Sequence, residues 1–156
     1  MRRSDREVKD PAKIKSVFES CVCCRLAFCD GTRPYIVPLS FGFSEEDGHY
    51  TLFFHGAKDG RKIDLVRSTG YAGFELDCGY QLHEALLPCK HSAAFCSIIG
   101  EGAVSFVERP DEKEEALQSI MAHTTGKSSW TFDKAMLNSV SVWKLVVQEM
   151  SCKEHL

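Results

Sequence analysis

The sequence has no long apolar run and no strong excess of either charge. A membrane-spanning helix needs about 20 consecutive apolar residues, and no stretch of this chain approaches that length. Its first ten residues, MRRSDREVKD, lack the apolar centre of a secretory signal. The net charge of −3 argues against nucleic acid as the main partner. We therefore expect a cytoplasmic protein that binds neither membrane nor nucleic acid.

The spacing typical of a zinc site is also missing, although the chain contains eight cysteines. The cluster Cys21, Cys23, Cys24 and Cys29 lacks the CxxC…CxxC pattern. Cys89-Lys-His91 supplies at most two ligands, so no metal is predicted. Without an export signal, most of the thiols should be reduced. Redox-active thiols are the alternative.

What the sequence does contain is a regular alternation of short apolar strands and polar turns. At 156 residues and 44% hydrophobic composition, it can form one domain, which we predict over residues 1–156. The predicted strands are residues 22–28, 35–43, 49–55, 71–77, 95–108 and 140–147. The predicted helices are residues 11–20, 63–69, a segment from 109 broken at 126, and 132–137. We expect a mainly β fold, a small antiparallel barrel of about six strands with short helices; an open sheet covered by helices is the alternative.

One predicted strand, residues 35–43, contains Pro38 near its middle. Proline has no N–H to donate to a neighbouring strand. We therefore expect Pro38 at an edge, at a bulge, or beside something that is not a strand.

The most basic stretch is FFHGAKDGRKIDLV, from Phe53 to Val66. A strand and a glycine loop precede a helix start here, and backbone N–H groups at a helix N-terminus bind phosphate. Gly60 allows a phosphate to approach the backbone closely. Arg61 can donate two hydrogen bonds to a pair of phosphate oxygens, and Lys62 adds a point charge. The spacing matches neither a Walker motif nor a dinucleotide fingerprint. A solvated turn paired with the two aspartates of the stretch is the alternative.

Three segments in this order, RPYIVPLSFGF, LFFHGAKDGRKIDLV and SIIGEGAVSFVE, resemble the FMN-binding split-barrel superfamily of pyridoxamine 5′-phosphate oxidases. The branch of 5-nitroimidazole-resistance proteins is the most similar, and MRRSDREV and Cys24-Arg25-Leu26-Ala27 also match it. The likeness runs from Met1 to about Met150. It implies a six-stranded antiparallel split barrel and a homodimer with FMN at the subunit interface. It also implies an FMN-dependent oxidoreductase that reduces a small, nitroaromatic-type substrate.

The same resemblance implies roles for individual residues. The implied cofactor-binding residues are Ile36, Val37, Pro38, Leu39, Ser40, Phe54, His55, Gly60, Arg61, Lys62 and Ser97. The run 36–40 would line the flavin ring largely through its backbone, and Arg61 and Lys62 would hold the phosphate.

His55 is the predicted catalytic residue, since a histidine beside a flavin can orient a substrate or donate a proton; a structural histidine is the alternative. Arg25 is a second candidate, which a salt bridge would explain equally well. His91, His123 and Trp130 are candidate pocket walls, for which structural roles are favoured.

The C-terminal sequence VWKLVVQEMSCKEHL departs from the family because the residues that bind the substrate phosphate have no match there. This difference argues against oxidation of vitamin B6. The resemblance also allows a non-catalytic flavin-binding or flavin-sensing module, or the same barrel holding haem or a deazaflavin.

Overall fold

A computed structural model describes residues 3–156, which form one antiparallel sheet with helices at its ends and on its outer face. The first two residues of the MRRSDREV stretch lie outside the described part. The strands are β1 (Glu7–Val8), β2 (Cys24–Asp30), β3 (Arg33–Leu39), β4 (Gly42–Glu46), β5 (His49–Gly56), β6 (Tyr71–His83), β7 (Ser92–Phe106) and β8 (Ser141–His155). The helices are α1 (Pro11–Ser20), α2 (Arg61–Thr69), α3 (Pro110–Thr125) and α4 (Lys134–Ser139). No helix of this part is long and apolar enough to cross a membrane.

The strand order is β3-β2-β6-β7-β8-β5-β4, with β1 beside β8, and every neighbouring pair is antiparallel. The two end strands, β3 and β4, follow each other in the chain with only residues 40–41 between them. The two ends of the sheet are thus covalently joined, which gives an open, barrel-like sheet. The predicted fold class, a mainly β antiparallel split barrel with short helices, is confirmed.

The sheet has eight strands where six were predicted, because the two-residue β1 was not predicted and one predicted strand is divided. The predicted strand 35–43 is divided into β3 and β4 because Phe41, between them, is fully buried and turns the chain inward. β8 continues to His155, beyond the predicted residue 147. Its second half is too polar to show an apolar alternation, yet it pairs with β7 as far as Phe95.

Two apolar layers hold the sheet. The larger layer fills the barrel, where Leu26, Leu52, Phe54 and Leu145 are fully buried. The smaller layer lies between the outer face of β5 and β8 and helix α3. Gly42 allows α3 to approach, since a Cβ at this position would lie 2.4 Å from the backbone nitrogen of Ile120.

Candidate functional site

Helix α2 begins with an uncapped turn. Its N-cap is Gly60, whose φ of 120° favours glycine, and no side chain in the described part of the chain caps the helix. The N–H groups of Ile63 and Asp64 both reach the Gly60 carbonyl, at 2.9 and 3.1 Å. The first two N–H groups of the helix, those of Arg61 and Lys62, remain as donors at the positive end of the helix dipole.

The Arg61 side chain joins α2 to the β2–β3 hairpin. Its Nη2 and Nε donate to Asp30 Oδ2 at 2.8 and 3.2 Å, and the guanidinium lies 4.6 Å from the centre of the Tyr35 ring. Both charged side chains are about half exposed, so the ion pair itself adds little stability. The pair instead orients the guanidinium, and Nη1 can still donate a hydrogen bond to another acceptor. The sequence argument did not identify Asp30 and Tyr35 as partners of Arg61.

The Lys62 side chain leans in a different direction, across the end of β5. A Cβ on Gly56 would lie 2.8 Å from Lys62 Cε and 3.2 Å from Nζ, so a glycine is needed for the lysine to lie there. Within residues 3–156 its ammonium takes part in no ion pair. One helical turn therefore carries one anchored cation and one free cation.

In the described part of the chain strand β3 pairs only with β2, so its other edge is free. The two strands are joined by the two-residue loop 31–32, and the residues that flank such a loop, Asp30 and Arg33, form a hydrogen-bonded pair. Because hydrogen-bonded and non-hydrogen-bonded residues alternate along the strand, the backbone N–H and C=O groups of residues 34, 36 and 38 point toward the free edge. Pro34 and Pro38 fit this pattern, because neither has an N–H to give to β2. The prediction that Pro38 lies at an edge is confirmed.

The side chains of the predicted run 36–40 divide between two environments. Val37 and Leu39 pack against the core, whereas Ile36 is 62% exposed and Pro38 and Ser40 are exposed. A molecule along this edge would meet backbone groups and the Ile36 side chain. The edge begins beside Tyr35, under Arg61, and extends over about 17 Å to Ser40.

Two predicted cofactor residues are not brought to this edge. The Phe54 side chain is fully buried and stacks on Trp143 with ring centres 5.9 Å apart, so it does not reach the surface. Ser97 pairs with Asp77, which lies near the opposite end of the sheet from Asp30. The register places Ser97 roughly 23 Å along the strand direction from the Arg61 end. It lies on β7, three strands from β3, and so it is not on the free edge.

His55 opens onto a small apolar pocket between the sheet and helices α3 and α4, which we call the α3–α4 pocket. The pocket has a volume of about 230 Å³. It is lined chiefly by His55, Leu117, Ile120, Phe132, Met136 and Val140. His55 is exposed, but the surrounding protein partly shields its imidazole from water and this lowers the pKa of His55; the nearby charge of Lys62 lowers it further. The ring is therefore neutral at pH 7.

We expect the His55 imidazole to titrate below its ordinary pKa of 6.5 when followed by NMR. In a Lys62→Gln variant the pKa should rise, yet remain lowered, because burial is the larger cause. Since the unfolded chain takes up this proton at higher pH than the folded one, His55 makes the free energy of unfolding fall as pH falls through and below 6.5. An unshifted His55 pKa in the wild-type protein would contradict the placement of the ring.

Arg25 lies on the outer face of the sheet and is occupied by carboxylates. Its Nη1 donates to Glu75 Oε2 at 2.9 Å and also contacts Asp77. The salt-bridge explanation considered for Arg25 therefore holds in this structure. The group is far from α2, because Arg25 is five residues before Asp30 on the same strand.

The remaining candidates are each held by a backbone carbonyl. A ring nitrogen of His91, His123 and Trp130 lies 3.3, 2.7 and 3.0 Å, respectively, from a carbonyl oxygen. His123 also packs against Phe41, with ring centres 4.4 Å apart, inside the fold. These contacts support structural roles.

All eight cysteines are free thiols, and Cys29 and Cys89 are exposed. Burial raises the pKa of Cys96 and of Cys152 to about 11, which keeps both protonated at neutral pH. In the described residues no group of three or more His, Cys, Asp or Glu side chains is arranged to hold a metal ion.

Comparisons with known proteins bear on the fold and on the family of the chain. The profile of a family described as pyridoxamine 5′-phosphate oxidase matches residues 10–154. A Bacteroides thetaiotaomicron protein named as a candidate 5-nitroimidazole antibiotic resistance protein has 29% identity and a TM-score of 0.80, over 95% of this chain and 86% of its own. No curated protein is similar enough to count as a match.

More distant structures share the fold. The FAD and haem binding protein from Mycobacterium smegmatis has 14% identity and a TM-score of 0.81, over 96% of this chain and 73% of its own. A Listeria innocua protein named as a candidate pyridoxamine 5′-phosphate oxidase has 21% identity and a TM-score of 0.58, over 90% and 94% of the two chains.

Proposed function

This chain belongs to the pyridoxamine 5′-phosphate oxidase family, and from that premise we propose that it is a flavin-binding oxidoreductase with FMN as its cofactor. The observation that carries the proposal is the position of the uncapped, dicationic start of α2 at the beginning of the free β3 edge. FMN has a phosphate at one end and a flat, polar-edged ring at the other. The Gly60-Arg61-Lys62 turn would hold the phosphate, and the backbone of residues 36–40 would face the ring.

The donors present suit this ligand. A phosphate takes charge-assisted hydrogen bonds, and the turn offers two backbone N–H groups, Arg61 Nη1 and the Lys62 ammonium. The free edge of β3 supplies carbonyl acceptors at residues 34, 36 and 38 and one N–H, at Ile36. A ring with both donors and acceptors on its rim finds both kinds of partner there.

When bound, a flavin supplies hydride or two-electron transfer. The chain's contribution would be to position the ring and to manage a proton, for which His55 is our first choice. Because its pKa is lowered, its ring is neutral at pH 7 and can accept a proton at a ring nitrogen and return it. The name of the Bacteroides protein suggests a nitro-bearing aromatic substrate, which we include in the proposal.

A homodimer is part of the same proposal. Ser97 lies on β7, three strands and roughly 14 Å across the sheet from the free β3 edge of its own chain. It would therefore contribute to a cofactor site only from a second subunit. Sedimentation equilibrium of the purified protein measures the mass of the assembly, which should be twice that of one chain.

The test is a visible spectrum of the purified protein followed by titration with FMN, FAD and riboflavin. We expect FMN to bind at least about 30-fold more tightly than riboflavin, because riboflavin lacks the phosphate that charge-assisted bonds would hold. Equal affinities for FMN and riboflavin, or no flavin binding, would defeat the proposal. A Soret band would instead indicate haem. A bound flavin that no acceptor reoxidises after photoreduction would indicate a binding or sensing module.

A further inference from the structure

The α3–α4 pocket is a gap in the smaller apolar layer. Its inner wall is the outer face of β5 and β8, and Leu117 and Ile120 of α3 form its side. Phe132 and Met136, on the segment leading into and through α4, form its outer wall. Met136 is 54% exposed, so this wall borders solvent and a ligand can enter past it.

Within residues 3–156, no charged side chain lines the pocket. Its lining polar side chains are the His55 imidazole and the Ser139 hydroxyl. Lys62, whose charge contributes to the lowered His55 pKa, does not line the pocket. An anion that entered would lose part of its hydration without contacting a cation.

The size and the walls of the pocket further restrict the class of ligand that it can bind. At about 230 Å³ it is smaller than the roughly 300–1,000 Å³ pockets that hold drug-sized molecules, so there is room for a single ring. Phe132 offers an aromatic surface, and Met121 and Met136 offer thioether sulfur atoms, which pack favourably against aromatic rings. The His55 imidazole adds one directional hydrogen bond.

We propose that the α3–α4 pocket binds small, uncharged, single-ring aromatic molecules, excludes their anionic analogues, and takes its selectivity from the wall formed by Phe132 and Met136. The role of this pocket as the substrate site rests on the proposed function. Binding itself requires no electron transfer, so it can be measured separately.

The experiment is calorimetric titration at pH 7.5 with benzamide and benzoate, which have nearly the same shape and differ in charge. We expect benzamide to bind at least tenfold more tightly than benzoate. Naphthalene-2-carboxamide, with two rings, should bind at least tenfold more weakly than benzamide. Benzoate binding as tightly as benzamide, or no benzamide binding, overturns the inference.

A Met136→Gln variant tests the wall, because position 136 is exposed enough to tolerate a polar side chain of similar length. We expect at least fivefold weaker benzamide binding, with an unchanged melting temperature. Leu86→Gln, at a fully exposed apolar position on the β6–β7 connection, is the matched control and should leave benzamide binding unchanged. Equal benzamide binding by wild type and Met136→Gln would contradict the assigned wall.

Flavin titration of the same samples separates the two proposals. A protein that binds FMN but not benzamide retains the proposed function and loses this inference. A protein that binds benzamide but no flavin retains the pocket's binding specificity, and the proposed flavin function fails.

Discussion

An Arg61→Ala/Lys62→Ala variant is expected to bind FMN about 30- to 1,000-fold more weakly than the wild-type protein. Removing charge-assisted contacts to a phosphate costs about 2–4 kcal/mol in total, at the lower end where the groups are partly exposed to solvent, as Arg61 is. The free energy of unfolding should change little, because the Arg61–Asp30 pair is exposed and the Lys62 ammonium has no carboxylate partner within residues 3–156. Fluorescence titration with FMN measures the affinity.

Riboflavin provides the internal control for this variant. It lacks the phosphate, so its affinity should be nearly the same in the variant and the wild type. An Arg67→Ala/Lys90→Ala variant removes the same charge away from the first turn of α2 and should bind FMN as tightly as the wild type. Undiminished FMN binding by Arg61→Ala/Lys62→Ala would place the phosphate site elsewhere.

Local sequence signals were sufficient where a structure depends on neighbouring residues. Helix α1 occupies residues 11–20 as predicted, because Asp10 accepts a hydrogen bond from the Ala12 N–H at 3.1 Å and Pro11 follows at the first helical position. The uncapped glycine before α2 could likewise be predicted from the sequence. Both features are formed by residues within a few positions of each other.

Contacts between distant segments could not be predicted in this way. Asp30 meets Arg61 across 31 positions, and the α3–α4 pocket joins His55 to residues more than 60 positions later. β6 extends to His83, beyond the predicted end at residue 77, because it pairs with β7 although its sequence shows no alternation of apolar residues there. Register also decides that Ser97 lies far from Arg61, although the resemblance placed both at one cofactor.

The same limit applies to whatever lies outside one chain. The homodimer, the cytoplasmic location, the single-domain organisation and the identity of the substrate remain predictions.

Phe54 shows most clearly why a family resemblance needs the structure beside it. Adjacent residues of a strand point to opposite faces, so a segment that flanks a cofactor can contribute one side chain to the site and the next to the core.

Phe54→Ala is accordingly expected to lower the free energy of unfolding. Its ring is fully buried and stacks on Trp143 at an angle of 21°. Truncating such a phenylalanine costs about 3–5 kcal/mol through lost apolar burial and the cavity that remains. The Trp143 ring would lose its stacking partner. Its indole Nε1 is buried without a hydrogen-bond partner in the described chain, so packing is what holds the ring. Urea unfolding followed by circular dichroism measures the change.

Ile36→Ala is the matched comparison, since it also shortens an apolar side chain from the predicted cofactor set but at a position that is 62% exposed. We expect its unfolding free energy to stay within about 0.5 kcal/mol of the wild-type value. Its FMN affinity should fall, because Ile36 lies on the free β3 edge. The two variants therefore separate a core role from a binding role. If Phe54→Ala kept wild-type stability and lost only flavin affinity, Phe54 would belong to the binding site and its burial in the core would be wrong.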